Sequence, residues 1–147
     1  MSNKYTYIIH SDGGARGNPG PAAIGVVIEA KDGSLKKEYG EYIGETTNND
    51  AEYQAVVFAL KKLKLLVGKE RVGEARVEVH VDSELLERQL NGQYKIMDKD
   101  IQKHFIEIWN LKVDFGEVTF QHVYREDNKE ADRMVNAALD KELNKLL

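Results

Sequence analysis

The segment Asp12-Gly13-Gly14-Ala15-Arg16-Gly17-Asn18-Pro19-Gly20-Pro21 constrains this chain most. It gathers four of the 12 glycines and both prolines into ten residues. Glycine adds backbone entropy and proline removes a donor, so the whole segment is expected to be a loop rather than part of a regular element. Elements must therefore start on either side of it. Before it, Tyr5 to Asp12 is rich in Tyr and Ile and reads as a strand. After it, Ala22 to Ala30 reads as a second strand. Lys31-Asp32-Gly33-Ser34 makes a turn into a third, Leu35 to Ile43.

From there the periodicity changes. Thr46-Thr47-Asn48-Asn49 offers capping side chains ahead of a helical pattern, Ala55, Val56, Ala59, Leu60, Leu63, Leu66 and Val67, which Gly68 ends. Val77, Val79 and Val81 alternate with Glu78, His80 and Asp82, as a strand does. Ser83 opens a short helix to Leu90, ended by Asn91-Gly92, and Asp98 opens another to Lys112. Val118 to Tyr124 reads as the last strand. Asn128 then caps a helix whose apolar face is Ala131, Val135, Ala138, Leu139, Leu143 and Leu146. A strand–helix–strand step implies parallel pairing, and hairpins imply antiparallel pairing. The expected fold is α/β: one domain over residues 1–147, a mixed five-stranded sheet with helices on both faces.

A chain of 147 residues can bury a core without staples, and this one has no cysteine for a disulfide or a thiolate zinc site. It has no transmembrane run, and Met1-Ser2-Asn3-Lys4 lacks the apolar stretch of a signal peptide. A cytoplasmic monomer with no membrane partner is expected. The net charge of −4 argues against holding nucleic acid by bulk positive charge. If four carboxylates formed a metal site, however, the remainder of the chain would be neutral.

Four acids stand where such a site could form. Asp12 and Asp82 end the first and fourth strands, Glu52 lies in the first turn of the helix after the third strand, and Asp132 starts the last helix. Each alone reads more simply as a turn-former, a helix-dipole partner or a solvated side chain. Together, parallel first and fourth strands would bring Asp12 and Asp82 to one edge, where ligand sites of such sheets gather. Carboxylates crowded there need cations, and an oxygen-only donor set selects magnesium or manganese.

The flanking residues carry a resemblance. The Asp12–Pro21 segment, Thr46-Thr47-Asn48-Asn49-Asp50-Ala51-Glu52-Tyr53, Val81-Asp82-Ser83 and Arg125-Glu126-Asp127-Asn128-Lys129-Glu130-Ala131-Asp132 resemble, in order, the four motifs of type 1 ribonucleases H. The resemblance implies an endoribonuclease that cuts the RNA strand of an RNA–DNA hybrid, leaving 5′-phosphate and 3′-hydroxyl ends. It implies two Mg2+ ions, with Mn2+ a possible substitute, about 4 Å apart. They would be held by Asp12, Glu52, Asp82 and Asp132, with Asp12 bridging both and Asp132 the most mobile ligand. Relatives carry a helper side chain before the last acid. Arg125 is preferred for it over His122, which falls in the last strand.

For the substrate, the resemblance puts Gly13 and Gly14 against the RNA strand and Asn48 and Asn49 in the minor groove. It puts Asn18 and Thr47 at a DNA phosphate, and Ser83 and Glu84 at the third motif. Glu84 stands where an amide often follows the Asp-Ser pair. The stretch from Gln89 to Val113 is short and not strongly basic, so the chain resembles the compact form without a basic protrusion, as in archaeal and some bacterial members. Two alternatives stay open: a DNA-directed nuclease of the same fold, and a non-catalytic hybrid-binding module. Weak, salt-sensitive hybrid binding is expected of either enzyme or module.

Overall fold

The computed structural model describes residues 5–145; the reading of Met1–Lys4 and of Leu146 lies outside them. The strands are β1 (Thr6–Ala15), β2 (Gly20–Ala30), β3 (Lys36–Thr46), β4 (Arg76–Val81) and β5 (Glu117–His122). The α-helices are α1 (Asn48–Val67), α2 (Glu84–Leu90), α3 (Lys99–Asp114) and α4 (Lys129–Asn144), and short 3-10 turns precede β4 and α4. The strands form one sheet in the order β3-β2-β1-β4-β5. β1–β2 and β2–β3 pair antiparallel, β1–β4 and β4–β5 parallel. The expected architecture is the observed one, and no described helix is long and apolar enough to cross a membrane.

The glycine-rich segment is where the expectation fails. Only residues 16–19 turn; β1 runs through Gly13 and Gly14 to Ala15, and β2 starts at Gly20 and Pro21. Proline is tolerated there because it sits at the first positions of a strand, and its carbonyl still accepts from Arg16 N–H at 2.8 Å. At two glycines of the sheet, neighbours leave no room for a side chain. A Cβ on Gly13 would run into the backbone of Ala51 and Glu52, and one on Gly25 into the carbonyl of Ala131. Gly13 pairs with Ile24 and Gly25 with Asp12, so the two glycines point to opposite faces. α1 thus lies directly on one face of the sheet and α4 on the other.

Between α1 and the sheet lies the main core, with Ile9, Ile28, Tyr53, Leu60, Leu63, Val77 and Val79 buried in it. Beneath α4 a smaller cluster joins Val135 and Leu139 to Ala23. Two residues assigned to apolar faces are exposed: Leu66 near the end of α1 and Leu143 near the end of α4. Each points away from the sheet at the end of its helix; in α1 the neighbouring Val67 is the residue that packs against the core.

Because β2 is an interior strand, crowding at Gly25 cannot be relieved at an edge. Gly25→Ala should cost about 3 kcal/mol or more in denaturant unfolding. Gly73→Ala, where an added Cβ meets nothing within 4 Å, should fall within about 0.5 kcal/mol of the parent.

Candidate active site

The parallel ladder between β1 and β4 ends at Ser11 and Val81. The next residue on each strand is an aspartate, Asp12 and Asp82, so the two carboxylates leave the sheet side by side. β1 continues beyond Asp12 with only β2 beside it, so Asp12 lies just past the parallel ladder and not at the end of the strand. Glu52 comes from α1, whose first turn carries Asp50 as its acid; Glu52 opens the second turn rather than lying in the first. Its approach depends on Gly13, since the backbone at Ala51 and Glu52 occupies the space a Cβ would fill. Gly13 therefore serves the packing of its own chain, whereas Gly14 is free of such crowding; both line the cleft.

Asp12, Glu52 and Asp82 each offer a carboxylate oxygen within 4.8 Å of the others. Burial, reinforced by the charges of Asp82 and Glu52, pushes the Asp12 carboxyl up to about 9. Burial also raises Glu52 to about 7, again with the Asp82 charge adding to it, while hydrogen bonds from Ser83 and the Gly13 N–H pull the other way. Three carboxylates in one partly buried place cannot all be charged without a counter-ion. All donors are hard oxygens, so the residues fit a divalent cation of the magnesium kind.

Asp132 is in the first turn of α4, as expected, but exposed and outside the triad. It lines the same cleft of about 480 Å³, together with Asn48, Ser83 and Arg125. Arg125 is exposed in the 3-10 turn before α4. His122 ends β5, is exposed against the ring of Tyr124 at 5.8 Å, and does not line that cleft.

The substrate candidates divide. Thr47 caps α1, its hydroxyl accepting from Asp50 N–H at 3.2 Å. Asn18 Oδ1 accepts from Asn48 N–H at 3.0 Å, and Asn48 Oδ1 accepts from Ala15 N–H at 2.8 Å. Asn18 and Asn48 thus tie the β1–β2 turn to the start of α1, beside half-buried Asn49. Ser83 caps α2, accepting from Leu86 N–H. Exposed Glu84 accepts from Arg88 Nε at 2.9 Å one helical turn away.

Sequence reasoning missed three residues. Arg16 reaches across the cleft mouth to Asp140 at 2.8 Å. Asn136 accepts from Arg16 at 3.3 Å and lies one turn after Asp132, which was the available signal. Asn128, read as a helix cap, makes no side-chain capping bond; its amide turns inward to Asp82.

Residues 10–138 match the reverse transcriptase-like protein family. The chain is 39% identical over 129 residues to ribonuclease HI of Halobacterium salinarum, covering 88% of this chain and 62% of that protein. It superposes with a TM-score of 0.87 on LC11-RNase H1, isolated from compost by a metagenomic approach, at 45% identity over 95% of this chain and 99% of that one. The chain belongs to the ribonuclease H type 1 family. It spans only part of the curated relatives it matches, 62% of the Halobacterium protein and 35% of the bifunctional protein Rv2228c of Mycobacterium tuberculosis. What the ribonuclease H relatives share with it is the five-stranded sheet that places Asp12 beside Asp82.

The raised carboxyls give a stability signature in metal-free protein. A carboxyl raised by folding contributes stability that is fully present below its ordinary value, 3.8 for Asp12, and lost as pH rises through about 9. With a chelator present, the parent should lose thermal stability from acid toward pH 9. Asp12→Asn should flatten that slope and melt above the parent at alkaline pH.

Proposed function

We propose that this chain is an endoribonuclease that hydrolyses the RNA strand of RNA–DNA hybrids, yielding 5′-phosphate and 3′-hydroxyl ends. The observation that carries the reading is the convergence of Asp12, Glu52 and Asp82 within 4.8 Å, in a cleft also lined by Asp132 and Arg125. Support for the hybrid as substrate comes from LC11-RNase H1, which has been crystallised in complex with RNA/DNA hybrid and is 46% identical to this chain.

In this reading Asp12, Glu52, Asp82 and Asp132 hold two Mg2+ ions, which Mn2+ can replace. When bound, such ions lower the pKa of a water and offset charge on the leaving 3′ oxygen. The rest falls to the chain's own groups. Asp12, whose carboxyl is raised by the charges of both Asp82 and Glu52, would serve both ions. Exposed Asp132, on the far wall, supplies a ligand that can move. Arg125 faces the cleft with a permanent positive charge, suited to a phosphate on its way in or out.

RNA is told from DNA by its 2′-hydroxyl, which needs groups that donate and accept. The Asn48 amide nitrogen stays available after its oxygen has bonded Ala15, and Asn49 stands next to it. Gly14 lets a sugar approach the β1 backbone, with Gly13 behind it. Ser83 and Glu84 follow on the Asp82 side, and Glu84 carries Arg88 as a counter-charge against phosphate repulsion. Thr47 and Asn18 frame the start of α1, where a DNA phosphate would meet backbone N–H groups. In this reading the domain acts as a monomer in the cytoplasm.

Incubation with Mg2+ and matched, labelled RNA–DNA, DNA–DNA and RNA–RNA duplexes tests the reading. Cleavage should be confined to the RNA of the hybrid, and Asp12→Asn should lower turnover by more than about 100-fold while the hybrid still binds. Cleavage of DNA–DNA alone, or binding without any cleavage, would overturn it.

A further inference from the structure

Asn128 is 1% exposed, a depth at which few polar side chains sit without a purpose. Its Nδ2 donates to the backbone carbonyl of Ser11 at 3.0 Å and to Asp82 Oδ2 at 2.9 Å. Both neighbours are acceptors only, so the amide can stand in just one orientation, nitrogen toward them. Its Oδ1 faces no protein donor among the described residues, so the amide is present for its donors alone.

The backbone of the same residue ties in the rest of the cleft. Its N–H donates to the carbonyl of Arg125 at 2.9 Å, and its carbonyl accepts from Asp132 N–H at 3.1 Å. Ser11 is the residue before Asp12. One buried residue is therefore bonded to Asp82 directly, to the strand position beside Asp12, and to the peptide groups of Arg125 and Asp132.

We infer that Asn128 is a positioning residue that fixes the Asp82 carboxylate against Asp12 and sets the α4 start, with Arg125 and Asp132, against that pair. The donor engages Asp82 Oδ2 and leaves the second oxygen to the cluster. An aspartate of the same size could not serve, since it would set a third acceptor against two others. The inference rests on the reading of the cluster as a Mg2+ site. Partners that orient a ligand typically change metal affinity or activity by 10–100-fold when removed.

The test is calorimetric titration of Mg2+ into the parent, Asn128→Ala and Asn128→Ser, without nucleic acid, followed by kinetics on a labelled hybrid. Mg2+ affinity should fall roughly 10–100-fold in either variant. kcat should fall at limiting Mg2+ and recover at high Mg2+, with KM for the hybrid unchanged. In an Asp82→Asn background the same substitutions should leave Mg2+ affinity where it was. If neither variant folds, the parent still decides, because the side-chain amide protons of Asn128 should exchange slowly and shift on Mg2+ addition. A folded variant that melts earlier yet binds Mg2+ as the parent does, or an amide signal unmoved by Mg2+, would overturn the inference. A parent that binds no Mg2+ overturns the metal-site reading beneath it as well.

Discussion

The mutual repulsion of Asp12, Glu52 and Asp82 is the constraint around which this structure is built. Carboxylates a few ångströms apart and partly shielded from water cost stability when charged. The fold carries that cost: burial first, and the neighbouring charges after it, push Asp12 up to about 9 and Glu52 to about 7. Such strain persists only where surrounding structure holds the groups in place. Here the parallel β1–β4 ladder holds two of them and the docking of α1 holds the third.

Close approach is what makes the docking rigid. α1 meets β1 where Gly13 has no side chain, and α4 meets β2 where Gly25 has none. Both helices therefore deliver their acids from backbone seated directly on the sheet, not from side chains reaching across a layer of packing. Glu52 arrives on one face, and Asp132 with Arg125 on the other, so the cleft opens at the end of the sheet between the two helices. Asn128 links those two sides through Ser11 and Asp82.

Much of this was legible in the sequence, because its signals are local. Valine alternation at 77, 79 and 81 marks β4, the periodic run from Ala55 marks α1, and both end in residues with capping chemistry. Asp82 and Asp132 could be picked out because each stands at a boundary between elements, whereas Asp12 and Glu52, inside β1 and α1, were marked by the motifs around them. What failed was local propensity applied to Gly13, Gly14, Gly20 and Pro21. They pair across the sheet instead, and at Gly13 the backbone of α1 fills the space of a side chain, which no turn rule records. Asn128 does stand at the N-cap of α4 as expected, but its side-chain role was not legible, because the partners lie 46 and 117 positions away. Arg16 and Asp140 meet across an equally long span, from the β1–β2 turn to α4. Contacts of that range become visible only once the sheet order is known.

Membership of the ribonuclease H type 1 family accounts for the sheet order, and the carboxyls account for its chemistry. The most direct test is the proton balance of metal binding, from Mg2+ titrations at pH 7 in buffers of different ionisation heat. Carboxyls that hold protons without metal must give them up when a cation takes their place, so about one proton or more should be released per protein. Mg2+ binding with no proton release would contradict the account, as would the same release from Asp12→Asn.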